Sequence, residues 1–283
     1  MQVILRDFGD RRRLGVASNG DEPITLAGIR RLIDPAEVES VILKEPDLER
    51  KENASIEWLD ELPGLFDLVI HGSRKSPIPR IPPTVLRRLG NLALVGDIEG
   101  RVAVDDLSGL EGLVVQPITA IDGPLSRCPV LRRVHVGQFA EPDLEVIAGC
   151  DQLIEARFEC RRQEVAVRWT RPPASLENLS FDSAALSDLT GAESVSRLRT
   201  LSVWNATAVV LNRPLSLAPL ASCRALERLS LNGLIPVSDV SELRALPSLE
   251  GVLLTAGAYD PVDAALLPVP VHEVRARRRR PKG

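Results

Sequence analysis

Residues 176–203 read LENLSFDSAALSDLTGAESVSRLRTLSV, and one short pattern stands at both ends of the stretch. Leu176, Leu179 and Phe181 occupy relative positions 1, 4 and 6, and Leu198, Leu201 and Val203 repeat that spacing. Positions 4 and 6 alternate with polar residues at 3, 5 and 7, the period-2 signature of a strand with one buried face. A single strand of this kind buries almost nothing, so copies have to stack and pair their backbones into a parallel sheet.

The same frame fills most of the chain. Upstream it reads Val38/Val41/Leu43, Leu65/Leu68/Ile70, Leu89/Leu92/Leu94, Leu110/Leu113/Val115, Leu131/Val134/Val136 and Leu153/Ala156/Phe158. Downstream it reads Leu226/Leu229/Leu231 and Leu249/Val252/Leu254, with a weak last copy expected at Val271/Val274/Ala276. Start-to-start spacings run from 21 to 28 residues, too regular a period for chance. The crossovers carry further leucines three and six places before a frame, such as Leu59 and Leu62 or Leu243 and Leu246, suited to the opposite wall of the same core. The 22 prolines favour irregular crossovers or short helical turns over full helices.

LxxLxL at this spacing resembles the leucine-rich repeat family, nearer its short bacterial internalin-like members than the long ribonuclease-inhibitor type. The match covers roughly residues 31 to 276. It departs from the family at relative position 9, where the expected Asn is replaced by Asp97, Ile118, Phe139, Ala184, Ala206 or Leu234. The resemblance implies an α/β solenoid: a horseshoe of about eleven repeats with a parallel concave β-sheet and an irregular or short-helix convex side. Residues 1–30 are expected to form an N-terminal β-hairpin cap, 31–276 the repeats, and 277–283 a basic tail.

Composition narrows the function. The chain has 283 residues, 44% of them hydrophobic, which excludes wholesale disorder. No apolar run approaches the ~20 residues of a membrane helix, and the N-terminal MQVILRDFGDRRR puts its charges after its apolar stretch, the reverse of a signal peptide. The expectation is therefore a cytoplasmic protein that makes no membrane contact. Thirty-one arginines stand beside four lysines. Six of the cations crowd into RARRRRPKG at 275–283, leaving a body of net charge −10 from the total of −4. An acidic body does not favour wrapping nucleic acid. The tail alone keeps open contact with nucleic acid or an acidic partner, against a plain solubilising role.

Cys128, Cys150 and Cys223 stand three residues before a repeat start, where other copies have leucine. They read as buried core thiols, although neighbouring Cys128 and Cys150 could conceivably bridge. Cys160, just beyond its strand, has no such assignment. His71, His135 and His272 lie on different repeats without metal-ligand spacing, and no GxSxG, HExxH or Walker-type loop occurs. The reading is of a non-enzyme without cofactor or metal, a cryptic enzyme being the rival.

Positions 3, 5 and 7 should form the solvent face. In the early copies they include an aliphatic stripe of Ile42, Val69, Ala93 and Val114. Later copies place Arg133, His135, Glu155, Arg157, Glu159, Asp182, Trp204, Arg228 and Asn232 there. Arg and Trp dominate binding hot spots, and strand alternation forces Trp204 out of the core. These nine residues are the candidate binding site for an unidentified protein partner, the competing reading being a charge ladder satisfying itself across strands.

Overall fold

Every copy of the frame from Val38 to Leu254 puts positions 1, 4 and 6 in the interior. The computed structural model describes residues 2–8, 11–17, 24–49, 55–161, 164–206, 214–233, 235–255 and 257–274. The chain divides into two compact units, Met1–Gly137 and Gln138–Gly283.

In the first unit β1 (Gln2–Phe8) and β2 (Arg11–Ala17) pair antiparallel. Five parallel strands follow: β3 (Ser40–Leu43), β4 (Asp67–His71), β5 (Asn91–Val95), β6 (Gly112–Gln116) and β7 (Arg133–Phe139), whose last two residues belong to the second unit. Registers join position 4 to position 4, in the order Val16, Val41, Leu68, Leu92, Leu113 and Val134. A one-residue slip would turn every core side chain outward, so burial itself enforces this alignment.

The second unit continues the rule with β8 (Glu155–Cys160), β9 (Asn178–Asp182), β10 (Thr200–Ala206), β11 (Arg228–Gly233), β12 (Gly251–Thr255) and β13 (Val271–Val274). Ala156, Leu179, Leu201, Leu229 and Val252 align in sequence. Three phenylalanines fill the inner side: Phe158 lies 4.6 Å from Phe139 and 5.6 Å from Phe181 between ring centroids.

The last copy corrects the sequence reading. Val252 aligns with Val271, not with Val274, so the frame there is displaced by three residues. His272 and Glu273 of this strand are exposed. An outermost strand packs on one side only, so the core constrains its register weakly, and polar residues suit an edge.

Crossovers are irregular, as the prolines imply. They consist of single-turn 3₁₀ segments such as Val104–Asp106, Leu125–Arg127 and Ala192–Ser194, with short helices at Leu26–Leu32 and Pro83–Leu86. A recurrent turn closes most of the crossovers. The N–H of the frame's first residue donates to the carbonyl three residues earlier: Leu65 to Leu62, Leu89 to Leu86, Leu131 to Cys128, Leu153 to Cys150 and Leu226 to Cys223. That turn aims the earlier side chain inward, which is why leucine and cysteine share the slot. Past the strands, backbone groups continue to pair between neighbouring repeats. Gly72 N–H donates to Val95 O, Gly96 N–H to Gln116 O, and Ser183 N–H to Trp204 O. Stacked strands, turns and crossovers in one register make this a leucine-rich repeat fold.

Candidate functional site

The sheet face opposite the crossovers differs between the units. In the first, position 3 is not solvent-exposed as expected: Ser40 and Asp67 are buried, at 0% and 1% relative exposure. Gly112 of the same row is buried too. Asn91 Nδ2 donates to Asp67 Oδ1 at 2.5 Å, and Arg133 Nη2 reaches Asn91 Oδ1 at 3.5 Å. Gly112 lies between Asn91 and Arg133 in the row; a Cβ there would come within 2.4 Å of Asn91 Oδ1. Arg133 is thus engaged in a polar chain that the small residue permits. His135 is half-buried, beside Val114 on the neighbouring strand. Ile42, Val69 and Ala93 are half-buried and Val114 is exposed, leaving an aliphatic stripe.

The other seven candidate residues come together on the second unit. Strand pairing arranges them in three rows. Position 3 carries Glu155, Asn178, Thr200 and Arg228; position 5 carries Arg157, Ser180, Ser202 and Ser230. Position 7 carries Glu159, Asp182 and Trp204, followed by Asn232 on β11. Glu155, Arg157, Trp204 and Arg228 are exposed, whereas Glu159, Asp182 and Asn232 are half-buried. The serines form a low central line between taller rows.

Part of the charge satisfies itself. Arg199 at position 2 sits 2.6 Å from Glu227 and 4.0 Å from Glu177, a ladder along the strand entrances. Arg228 lies 3.7 Å from Glu250, and Arg157 lies 4.0 Å from Glu159 on its own strand. These pairs are largely exposed, and such pairs contribute about 0–1 kcal/mol each. A charge ladder therefore accounts for the arginines in part, but not for Trp204.

Trp204 is 46% exposed. The β10–β11 register shifts at this point: Val203 aligns with Leu231, but the next aligned pair is Ala206 with Gly233. Two residues, Trp204 and Asn205, therefore oppose Asn232 alone, a β-bulge. Bulges re-aim side chains and concentrate beside functional sites. The bulge was not legible in the sequence, where Trp204 marks only an alternation that puts an aromatic outside.

The cysteines are core groups. Cys128, Cys150, Cys160 and Cys223 are all buried. Cys128 is a free thiol, so the conceivable bridge to Cys150 is not formed. Burial first, and nearby carboxylates second, push the thiols up: Cys128 beside Asp105 to about 11, Cys223 beside Glu193 to about 11, and Cys160 beside Asp182 to about 12. Labelling of the native protein by a thiol reagent at pH 8 is expected to be slow at every cysteine and fast after denaturation. At that pH only roughly a thousandth of a thiol titrating at 11 is ionised. Rapid native labelling of Cys128, Cys150 and Cys223 together would overturn the structural assignment. These thiols hold their protons more tightly folded than unfolded, where 9.0 is ordinary. The associated stability is therefore complete below pH 9 and lost as pH rises through about 11.

Among the described residues no group of three His, Cys, Asp or Glu side chains is placed to hold a metal ion. No helix among them is long and apolar enough to cross a membrane. Residues 277–283 and most of the 206–219 insertion (207–213) lie outside the described residues, although Leu215 and Leu217 of that insertion are buried.

No family model matches the chain, and no curated protein matches it in sequence. Among solved structures it is similar to internalin C2 of Listeria monocytogenes, at 19% identity over 69% of this chain and 84% of that one, with a TM-score of 0.48. It is also similar to a second internalin of that organism, inlF, at 15% identity over 86% and 84% of the two chains, TM-score 0.42. A third likeness is to the mouse RP105/MD-1 complex, at 14% identity over 83% of this chain and 47% of that one, TM-score 0.45.

Proposed function

We propose that the chain is a non-catalytic, cytoplasmic recognition scaffold whose protein partner seats on the open sheet face of the second unit, around Trp204. Residues 1–30 would cap the repeats at their N-terminal end. The observation that carries the reading is a large aromatic held in solvent at a strand bulge, where it packs no core. Around it Arg157, Arg228, Asp182 and Asn232 supply directional polar contacts, the composition found at energetic centres of interfaces. A sheet braced by a packed core is preformed, so binding sacrifices little ordering entropy. Buried thiols at Cys128, Cys160 and Cys223 suit a reducing compartment.

Affinity capture from a lysate of the cells that make the protein tests this. Wild type is compared with Trp204→Ala, with Arg157→Glu, and with Arg87→Ala on a crossover as control. The expected result is a protein retained by wild type and control and depleted about tenfold or more by both face variants. All four should melt at nearly the same temperature. Equal capture by wild type and the face variants would place recognition elsewhere.

A further inference from the structure

The open sheet face of the first unit has a different chemistry from that of the second. Its middle row is aliphatic from β3 to β6, where Ile42, Val69 and Ala93 are half-buried and Val114 is 36% exposed. Asp67 is the one carboxylate in rows 3, 5 and 7 between β3 and β7, and it is buried and accepts from the Asn91 amide. The exposed ionisable groups of these rows are all basic: Lys44 just past β3, His71 at the end of β4, and Arg133 at the start of β7. Neither Lys44 nor His71 has an ion pair among the described residues. Glu45, which follows Lys44 in the chain, is half-buried and accepts instead from the Ser73 hydroxyl. The chain as a whole carries a net charge of −4, so this basicity is local and not inherited from composition.

The basic groups also have an order. Lys44 and His71 stand in row 7 at one end of the aliphatic stripe, and Arg133 stands in row 3 at the other. With strands ~4.8 Å apart and a rise of ~3.3 Å per residue, Lys44 and Arg133 are about 23 Å apart at the backbone, and the stripe lies between them. An extended chain covers that distance in about seven residues.

We propose that the open face of the first unit binds an extended protein segment with aliphatic residues at its centre and carboxylates at both ends. Alternate residues of an extended segment share one side. Its aliphatic side chains then cover Val69, Ala93 and Val114, while its carboxylates meet Lys44 and His71 at one end and Arg133 at the other. Removing the stripe from water supplies the affinity. The end charges set the orientation and reject basic segments. Basic patches that hold membranes cluster about four to eight cations, whereas here the basic groups are few and divided between two ends, which favours a protein segment. This inference does not rest on recognition at Trp204.

Fluorescence anisotropy tests this with a labelled peptide, Glu-Glu-Leu-Ser-Leu-Ser-Leu-Glu-Glu, titrated with full-length protein at low salt. The expected result is saturable binding. It should weaken about fivefold or more when lysine replaces glutamate in the peptide, when serine replaces leucine, and in the Val114→Asp protein. Lys44→Glu should weaken it about threefold. Both changes are at exposed positions, so the variants should melt with wild type. Trp204→Ala should bind the peptide as wild type does. No binding of the acid-ended peptide, equal binding of the lysine-ended one, or full affinity in Val114→Asp or Lys44→Glu would overturn the proposal. Loss of binding in Trp204→Ala would also overturn it, by placing the peptide on the second unit. So would binding of phosphatidylserine–phosphatidylcholine vesicles that Val114→Asp and Lys44→Glu abolish, which would assign the face to an anionic membrane. None of these outcomes bears on whether the second unit's face recognises a partner of its own.

Discussion

Replacing Leu179 with aspartate is expected to remove most or all of the protein's folding stability, while the same change at Ser180 leaves it nearly untouched. Leu179 stands at position 4 of β9, fully buried and aligned between Ala156 and Leu201. Deleting a buried leucine side chain costs about 2–5 kcal/mol before any charge is considered. An unpaired carboxylate in that apolar setting adds several more or forces its own protonation. Against a total stability of about 5–15 kcal/mol this is close to unfolding. Ser180 is the next residue, turned to the other face and aligned with Arg157. An aspartate there meets solvent and a guanidinium, and its effect should stay within about 0.5 kcal/mol. Urea unfolding of both variants checks the pair. Comparable losses would mean the frame has been assigned to the wrong face.

Truncating Phe158 to alanine should be the next most damaging change, at about 3–5 kcal/mol. The ring is fully buried and sits between Phe139 and Phe181, tilted by 53° against the first and stacked within 23° on the second. Its removal forfeits burial and two aromatic contacts and opens a cavity that the repeat registers hinder from collapsing. Phe158→Leu keeps most of the volume and should cost less than about 1.5 kcal/mol. The measurement is the denaturant midpoint at unchanged slope. A loss below that of the leucine variant would show that the cluster does not brace the second unit.

The frame was legible in the sequence because burial has a strict rhythm in a stacked sheet. Leucine at positions 1, 4 and 6 has no other simple explanation, and the three-residue turn explained the cysteine slot as well. Two features were hidden, each for a physical reason. The last strand slipped by three residues because only one neighbour among the described residues holds it; Val271 aligns with Val252. Ser40 and Asp67 are buried where alternation alone promised solvent. Alternation tells which side of a strand a residue occupies, but not what covers that side. Gly112 between Asn91 and Arg133 carried the only sequence-level hint of a polar chain across the row.

The candidate site was divided in a similar way. Alternation placed all nine residues outside the core rows, but it could not separate Arg133 and His135 in the first unit from the seven gathered on the second. Nor does alternation encode a bulge, which depends on the count of residues in one strand against its partner. Cys160 follows position 7, beyond the reach of the frame, and its burial emerged only from packing.

Recognition centred on Trp204 is tested most directly by calorimetric titration of the captured partner into wild-type protein and Trp204→Ala at matched salt. The expected result is an affinity reduced about tenfold or more with the melting temperature unchanged. Equal affinity for the two proteins would contradict it and move the binding surface away from the second unit's open face.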